Sequence, residues 1–97
     1  MADLTIAPAA REDLMDIGRY TQDRWGPEQR TDYLRGIADL FDRLASGETR
    51  GRHRPDLRKG LWSQPHGSHV VFFRRDPEGN VQVLRVLHQA QDHERHL

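Results

Sequence analysis

The chain has 97 residues, of which 35% are hydrophobic and 31% charged, with fifteen basic side chains balancing fifteen acidic ones. That length supports one small core, no apolar run approaches the roughly 18 residues of a membrane span, and zero net charge argues against general coating of nucleic acid, which needs a large positive excess. No cysteine is present, so the fold depends on neither disulfides nor thiolate–metal bonds, in keeping with a reducing cytoplasm.

The opening MADLTIAPAA has no basic segment followed by an apolar one, so no secretory signal is expected. Leu4–Ile6 reads as a short strand and Pro8 as a helix start. Leu14, Ile17, Gly18, Thr21 and Trp25 then recur at helical spacing. Gly26-Pro27 breaks that helix, and Pro27 suits the first turn of a second. On the second helix Tyr33, Leu34, Ile37, Leu40, Phe41 and Leu44 carry the same period to a stop at Gly47. The two helices are expected to form an antiparallel hairpin with one shared apolar face, Trp25 wedging its tight end.

Residues 46–60 contain three glycines and Pro55 and read as loop. The period then changes. LWSQP and VVFFRR read as strands around a GSH turn, DPEGN as a hairpin loop, and VQVLRVL as the last strand. The order β-α-α-β-β-β predicts an α+β fold: an N-terminal strand and a helical hairpin packed on a small, mainly antiparallel sheet. Residues 1–97 are expected to form one domain, with 88–97 as a flexible or short helical tail. A helix so short persists only if it docks.

Charge is unevenly placed. Residues 1–49 hold ten acids against six bases, whereas residues 50–97 hold nine bases against five acids. The densest basic stretch is RGRHRPDLRK (Arg50–Lys59), either a solvated loop or one that meets carboxylates or phosphates. Among the histidines, His93 and His96 stand three apart on the tail. His66 and His69 share that spacing, yet they flank a glycine turn, and on a strand they would point to opposite faces. With no cysteine and no converging carboxylates, no metal and no cofactor is expected.

DLMDIGRYTQDRWG (Asp13–Gly26), GRHRPDLRKGLWSQPHGSHVVFFR (Gly51–Arg74) and VLRVLHQAQD (Val83–Asp92) together resemble the ParE branch of the RelE/ParE toxins, in order and over nearly the whole chain. The resemblance implies the same hairpin-on-sheet fold and a bacterial toxin encoded beside an antitoxin that neutralises it. The ParE branch implies DNA gyrase as target, through protein–protein binding; the RelE branch implies cleavage of messenger RNA on the ribosome.

On the RelE-like reading, Arg58, Arg85 and His88 would supply charge and proton transfer for a metal-independent endoribonuclease. Against it, no tyrosine follows the last strand: Tyr20 and Tyr33 lie on the predicted helices. Arg58 also has a structural reading, bonding backbone carbonyls where the chain enters the sheet. The ParE-like reading therefore leads and expects no catalytic group. It implies a ParD-like antitoxin as partner in a hetero-oligomer, docking on Leu14, Ile17, Tyr33, Ile37, Arg58, Trp62 and Phe73. Arg54, Lys59, His88 and Arg95 are the candidates for meeting the target. Neither a membrane nor sequence-specific contact with nucleic acid is implied.

Overall fold

The computed structural model describes residues 2–97. The chain runs β1 (Leu4–Ile6), α1 (Pro8–Trp25), α2 (Pro27–Ser46), β2 (Arg52–His53), β3 (Trp62–His66), β4 (His69–Arg75), β5 (Val81–His88) and α3 (His93–His96). This is the expected α+β order with two additions, the two-residue β2 inside the stretch read as loop and the single-turn α3.

Pro8 and Pro27 each open a helix, where the missing N–H has no intrahelical partner to lose. Gly26 alone separates the two helices, at φ +94°, a backbone region that residues with a Cβ avoid. On α2 the buried residues are Ile37, Leu40, Phe41 and Leu44, the i, i+3, i+4, i+7 stripe of a helix buried on one side. Trp25 does not wedge the hairpin. It is 63% exposed, because α1 ends at that residue and the chain turns away before its ring can be covered.

The five strands lie in the order β1-β5-β4-β3-β2. β1 runs parallel to β5, with Leu4 beside Val81, and the remaining pairs are antiparallel. The register between β4 and β5 shifts at Phe72/Phe73, which face Arg85 and Val83 respectively. The extra residue, Leu84, resets the alternation. Val81, Val83 and Val86 therefore all join the core under the helices, whereas Leu84 and Leu87 reach the opposite face.

Two apolar layers result. The larger packs Ala10, Ile17, Ile37, Leu40, Phe41 and Leu44 of the hairpin onto Val71, Phe73, Val81, Val83 and Val86. The smaller, on the far face, joins Leu61, Phe72 and Leu87 with Leu57, Val70, Leu84 and Leu97. Each fully buried side chain of this size contributes about 1.5–3 kcal/mol relative to exposure. No helix pair covers the far face; the 54–61 loop and the C-terminal tail do. His93 sets its ring edge-on to Phe72 at 4.9 Å. Arg58 donates to the carbonyl of Leu97, and Arg85 donates to that of His96 at 2.8 Å. The tail is thus ordered as a docked helical turn.

Candidate functional site

At the Trp25 end of the hairpin an open groove of about 790 Å3 lies between the helices and the sheet. Its walls are apolar and aromatic: Ile17, Tyr20 and Trp25 from α1 and Tyr33 from α2. Tyr20 is 60% exposed, and the Arg24 guanidinium sits 5.6 Å from its ring and 5.8 Å from that of Trp25. Asp16 and Asp32 stand on the rim, one from each helix. Exposed aromatics gathered at a concave site are the usual mark of a docking surface.

Imidazoles floor the groove. His66 pairs with His69 across β3–β4, and His69 pairs with His88 across β4–β5. The two-residue turn Gly67-Ser68 returns the chain so that His66 and His69 become opposite partners on one face. The expectation of opposite faces on a strand is corrected by this reversal, since the turn they flank makes them cross-strand partners. The rings of His69 and His88 lie 5.4 Å apart, edge to face. Tyr33 stands over the row, its ring 5.5 Å from those of both His66 and His69.

Tyr33 also ties α2 to the turn. Its Oη is 2.6 Å from His69 Nδ1 and 3.1 Å from the carbonyl oxygen of His66. One hydroxyl proton serves one of these acceptors; when it goes to the carbonyl, His69 Nδ1–H donates into the phenol oxygen. Gly67 makes room for this contact. A Cβ there would fall 2.7 Å from the Tyr33 hydroxyl, at a φ of +55°.

Burial holds both His66 and His69 below the ordinary histidine range. The Arg43 charge adds to this at His66. At His69 the neighbouring imidazoles of His88 and His66 act in the same sense, and Asp13 opposes them. Both rings are therefore neutral at neutral pH, able to hydrogen-bond but without charge.

The residues proposed for antitoxin docking do not form one surface. Ile17 and Tyr33 line the groove, and Leu14 packs half-buried against the main core. Trp62 lies at the other end of the same face, its ring 5.0 Å from His53 and 6.5 Å from Phe73. Ile37 and Phe73 are 1% and 0% exposed and offer no surface as folded. Arg58 reaches across the far face to Leu97.

The candidates for meeting the target are also divided. Arg54 forks onto Asp56, its Nη2 2.9 Å from Oδ2. That bond raises the arginine and lowers the carboxylate. Lys59 and Arg95 are exposed, whereas His88 belongs to the groove.

Arg58, Arg85 and His88 do not converge. Arg58 and Arg85 hold the tail against the far face, whereas His88 lies in the groove under the hairpin. His88 also anchors its own turn: its N–H donates to Gln91 Oε1 at 2.7 Å, and its Nδ1 accepts from the Ala90 N–H at 3.1 Å.

Sequence reading missed Tyr20 and the alignment of three histidines. The GSH turn was its available signal, since a two-residue turn makes its flanking residues cross-strand partners. Among the described residues no group of three or more His, Asp or Glu side chains is disposed to hold a metal ion.

Comparison with known proteins agrees with this architecture. The family model described as ParE toxin of type II toxin–antitoxin system, parDE, matches residues 4–93. Toxin ParE1 of Mycobacterium tuberculosis is 40% identical over 92 residues, covering 95% of this chain and 94% of the relative. Toxin ParE1 of Caulobacter vibrioides is 36% identical over 97 residues, covering 100% and 99%.

Among solved structures, the chromosomal ParDE toxin–antitoxin system of P. aeruginosa superposes with a TM-score of 0.75 at 22% identity, covering 91% of this chain and 96% of that one. The RelBE2 toxin–antitoxin complex of Mycobacterium tuberculosis follows at 0.58, also at 22% identity, covering 90% and 96%. Both share the fold. By family match and by sequence identity, this chain belongs to the ParE toxin family of type II toxin–antitoxin systems.

Proposed function

We propose that this toxin acts in the cytoplasm as a single domain of residues 1–97, inhibiting DNA gyrase by protein–protein contact. A ParD-like antitoxin neutralises it by laying a segment in the groove beside the hairpin. The observation that carries the target reading is the separation of the ribonuclease candidates. Cleavage through a 2′-hydroxyl needs base, acid and phosphate-binding cations around one phosphate. Here both arginines bond tail carbonyls on one face of the sheet, and His88 lies on the other. Membership of a family described by its parDE system supports the antitoxin, and the exposed aromatic walls support the place where it docks. No helix among the described residues is long and apolar enough to cross a membrane.

Two assays on the purified toxin test the target. Supercoiling by gyrase is expected to fall as toxin is added, and messenger RNA on ribosomes is expected to stay intact. Unimpaired gyrase together with codon-positioned cuts would overturn this reading in favour of a RelE-like ribonuclease.

A further inference from the structure

Three imidazoles side by side on three neighbouring strands are an unusual floor for an aromatic-walled groove, and their position has consequences for any chain that lies on them. A docked segment must cover the exposed parts of His66, His69 and His88. Taking water from an imidazolium costs far more than taking it from a neutral imidazole.

Charged and titratable groups reach the site from each element packed around it. Among them are His93 of α3, its Nε2 3.1 Å from the His88 carbonyl oxygen, and Arg24 of α1 beside the Tyr20 and Trp25 walls. Asp13 on α1 faces His69, but its carboxylate is already held by Arg85 and by the Val86 N–H. Arg43 on α2 adds positive charge near His66. On the rim, Asp16 is engaged by Arg19, while Asp32 is exposed and acts through solvent. With Ile17, Tyr20, Trp25 and Tyr33 as walls, the site suits a segment with apolar anchors and a lysine or arginine directed to the Asp16–Asp32 rim. Protonating the floor would charge an apolar seat and repel that basic residue, so both effects have the same sign.

Resting on the docking reading above, we propose that this row makes antitoxin binding proton-sensitive: with His66 and His69 neutral it seats an apolar, basic segment of the antitoxin, and their protonation in mild acid releases it. By linkage, docking then expels protons from the row.

The test uses the full toxin and the antitoxin made from the reading frame adjoining its gene, with dissociation constants measured by calorimetry at pH 7.5 and 5.5. Wild type is expected to weaken tenfold or more at the lower pH. The double variant His66→Gln, His69→Asn keeps hydrogen-bonding atoms without the charge. Because these side chains floor the groove, it is expected to bind more weakly than wild type at pH 7.5. The readout is the ratio of its dissociation constants at the two pH values, which is expected to lie far closer to one than that of wild type. His66→Gln alone leaves the Tyr33–His69 contact intact and should lose part of the pH dependence, should the double variant fail to fold. Equal pH dependence in wild type and variants, or tighter wild-type binding at pH 5.5, would overturn the proposal. Trp25→Ala serves as the separate check on the docking site. If it leaves affinity at pH 7.5 unchanged, the groove reading falls and the proton proposal with it. If it weakens binding while the variants keep the wild-type pH dependence, the proton proposal alone falls.

Discussion

Asp13 and Arg85, 72 residues apart, are joined by two bonds of 2.8 and 2.9 Å, and the same carboxylate accepts the N–H of Val86 at 2.9 Å. β1 pairs with β5 only as far as Val83, so Asp13 completes the strand edge beyond it. The carboxylate's hydrogen bond from Arg85 raises that guanidinium above its ordinary value. It also frees the arginine's remaining nitrogen to hold His96. One side chain of α1 thus positions both the last strand and the tail.

Asp13→Ala leaves a half-buried guanidinium and a strand N–H without their acceptor. The expected loss is about 2–3 kcal/mol, read as a lower urea midpoint at unchanged slope. Arg85→Met paired with Asp13→Ala in a double-mutant cycle should return a coupling of about 1 kcal/mol or more. Additive losses would show that the two residues act independently.

Stability should fall in mild acid. Burial depresses His66 and His69 in the folded chain below the ordinary value of 6.5. Above pH 6.5 neither state binds the proton and the stabilisation is complete. As pH drops below 6.5 the unfolded chain binds protons first, so folding weakens until the lower folded value is passed. Thermal melts at pH 7.5 and 5.5 are expected to show the lower midpoint at 5.5. The gap should narrow in His66→Gln with His69→Asn.

Gly67→Ala combines a left-handed backbone with a Cβ set 2.7 Å from the Tyr33 hydroxyl. A cost of about 2 kcal/mol or more is expected from strain and clash together. Because the neighbour is a side chain, Tyr33→Ala should relieve the steric part. The double variant is then expected to lose less than the sum of the two single losses, as measured by urea unfolding.

Truncation after Asp92 removes the His93 ring from Phe72, Leu97 from the smaller core, and both carbonyls that hold Arg58 and Arg85. A loss of about 1–3 kcal/mol should accompany increased binding of a hydrophobic dye, because Phe72 and Leu87 become reachable. Unchanged dye binding would mean that the 54–61 loop covers that face unaided.

Much of the fold was legible because its signals are local. Ile37, Leu40, Phe41 and Leu44 share a helical period, and all four are buried; the three strands after Gly60 follow from β-branched runs and turn residues. What escaped depends on partners distant in the chain. β2 is two exposed residues whose only strand character is their register with Trp62 and Ser63. The bulge at Leu84 has no marker in VQVLRVL. Trp25 satisfied the periodic stripe, yet it falls where the helix stops, and periodicity says nothing about where cover ends. For the site, Ile17 and Tyr33 were found on apolar spacing, while Ile37 and Phe73 fit the same criterion because core and docking residues look alike in sequence. The histidine row required the register of three strands.

The parallel pairing of β1 with β5 sets the order in which the molecule can be completed. Asp3 N–H donates to Asn80 Oδ1 across 77 residues at 2.8 Å, and Leu4 waits for Val81. During synthesis β1 and the whole hairpin emerge long before the strand they pack upon. Ile17, Ile37 and Phe41 are then without Val81, Val83 and Val86, an apolar face with no sheet beneath it. Closing so long a loop late is slow and leaves that surface open meanwhile. The toxin therefore acquires its groove only once β5 has emerged, and whatever captures the groove meets the hairpin already backed by its sheet.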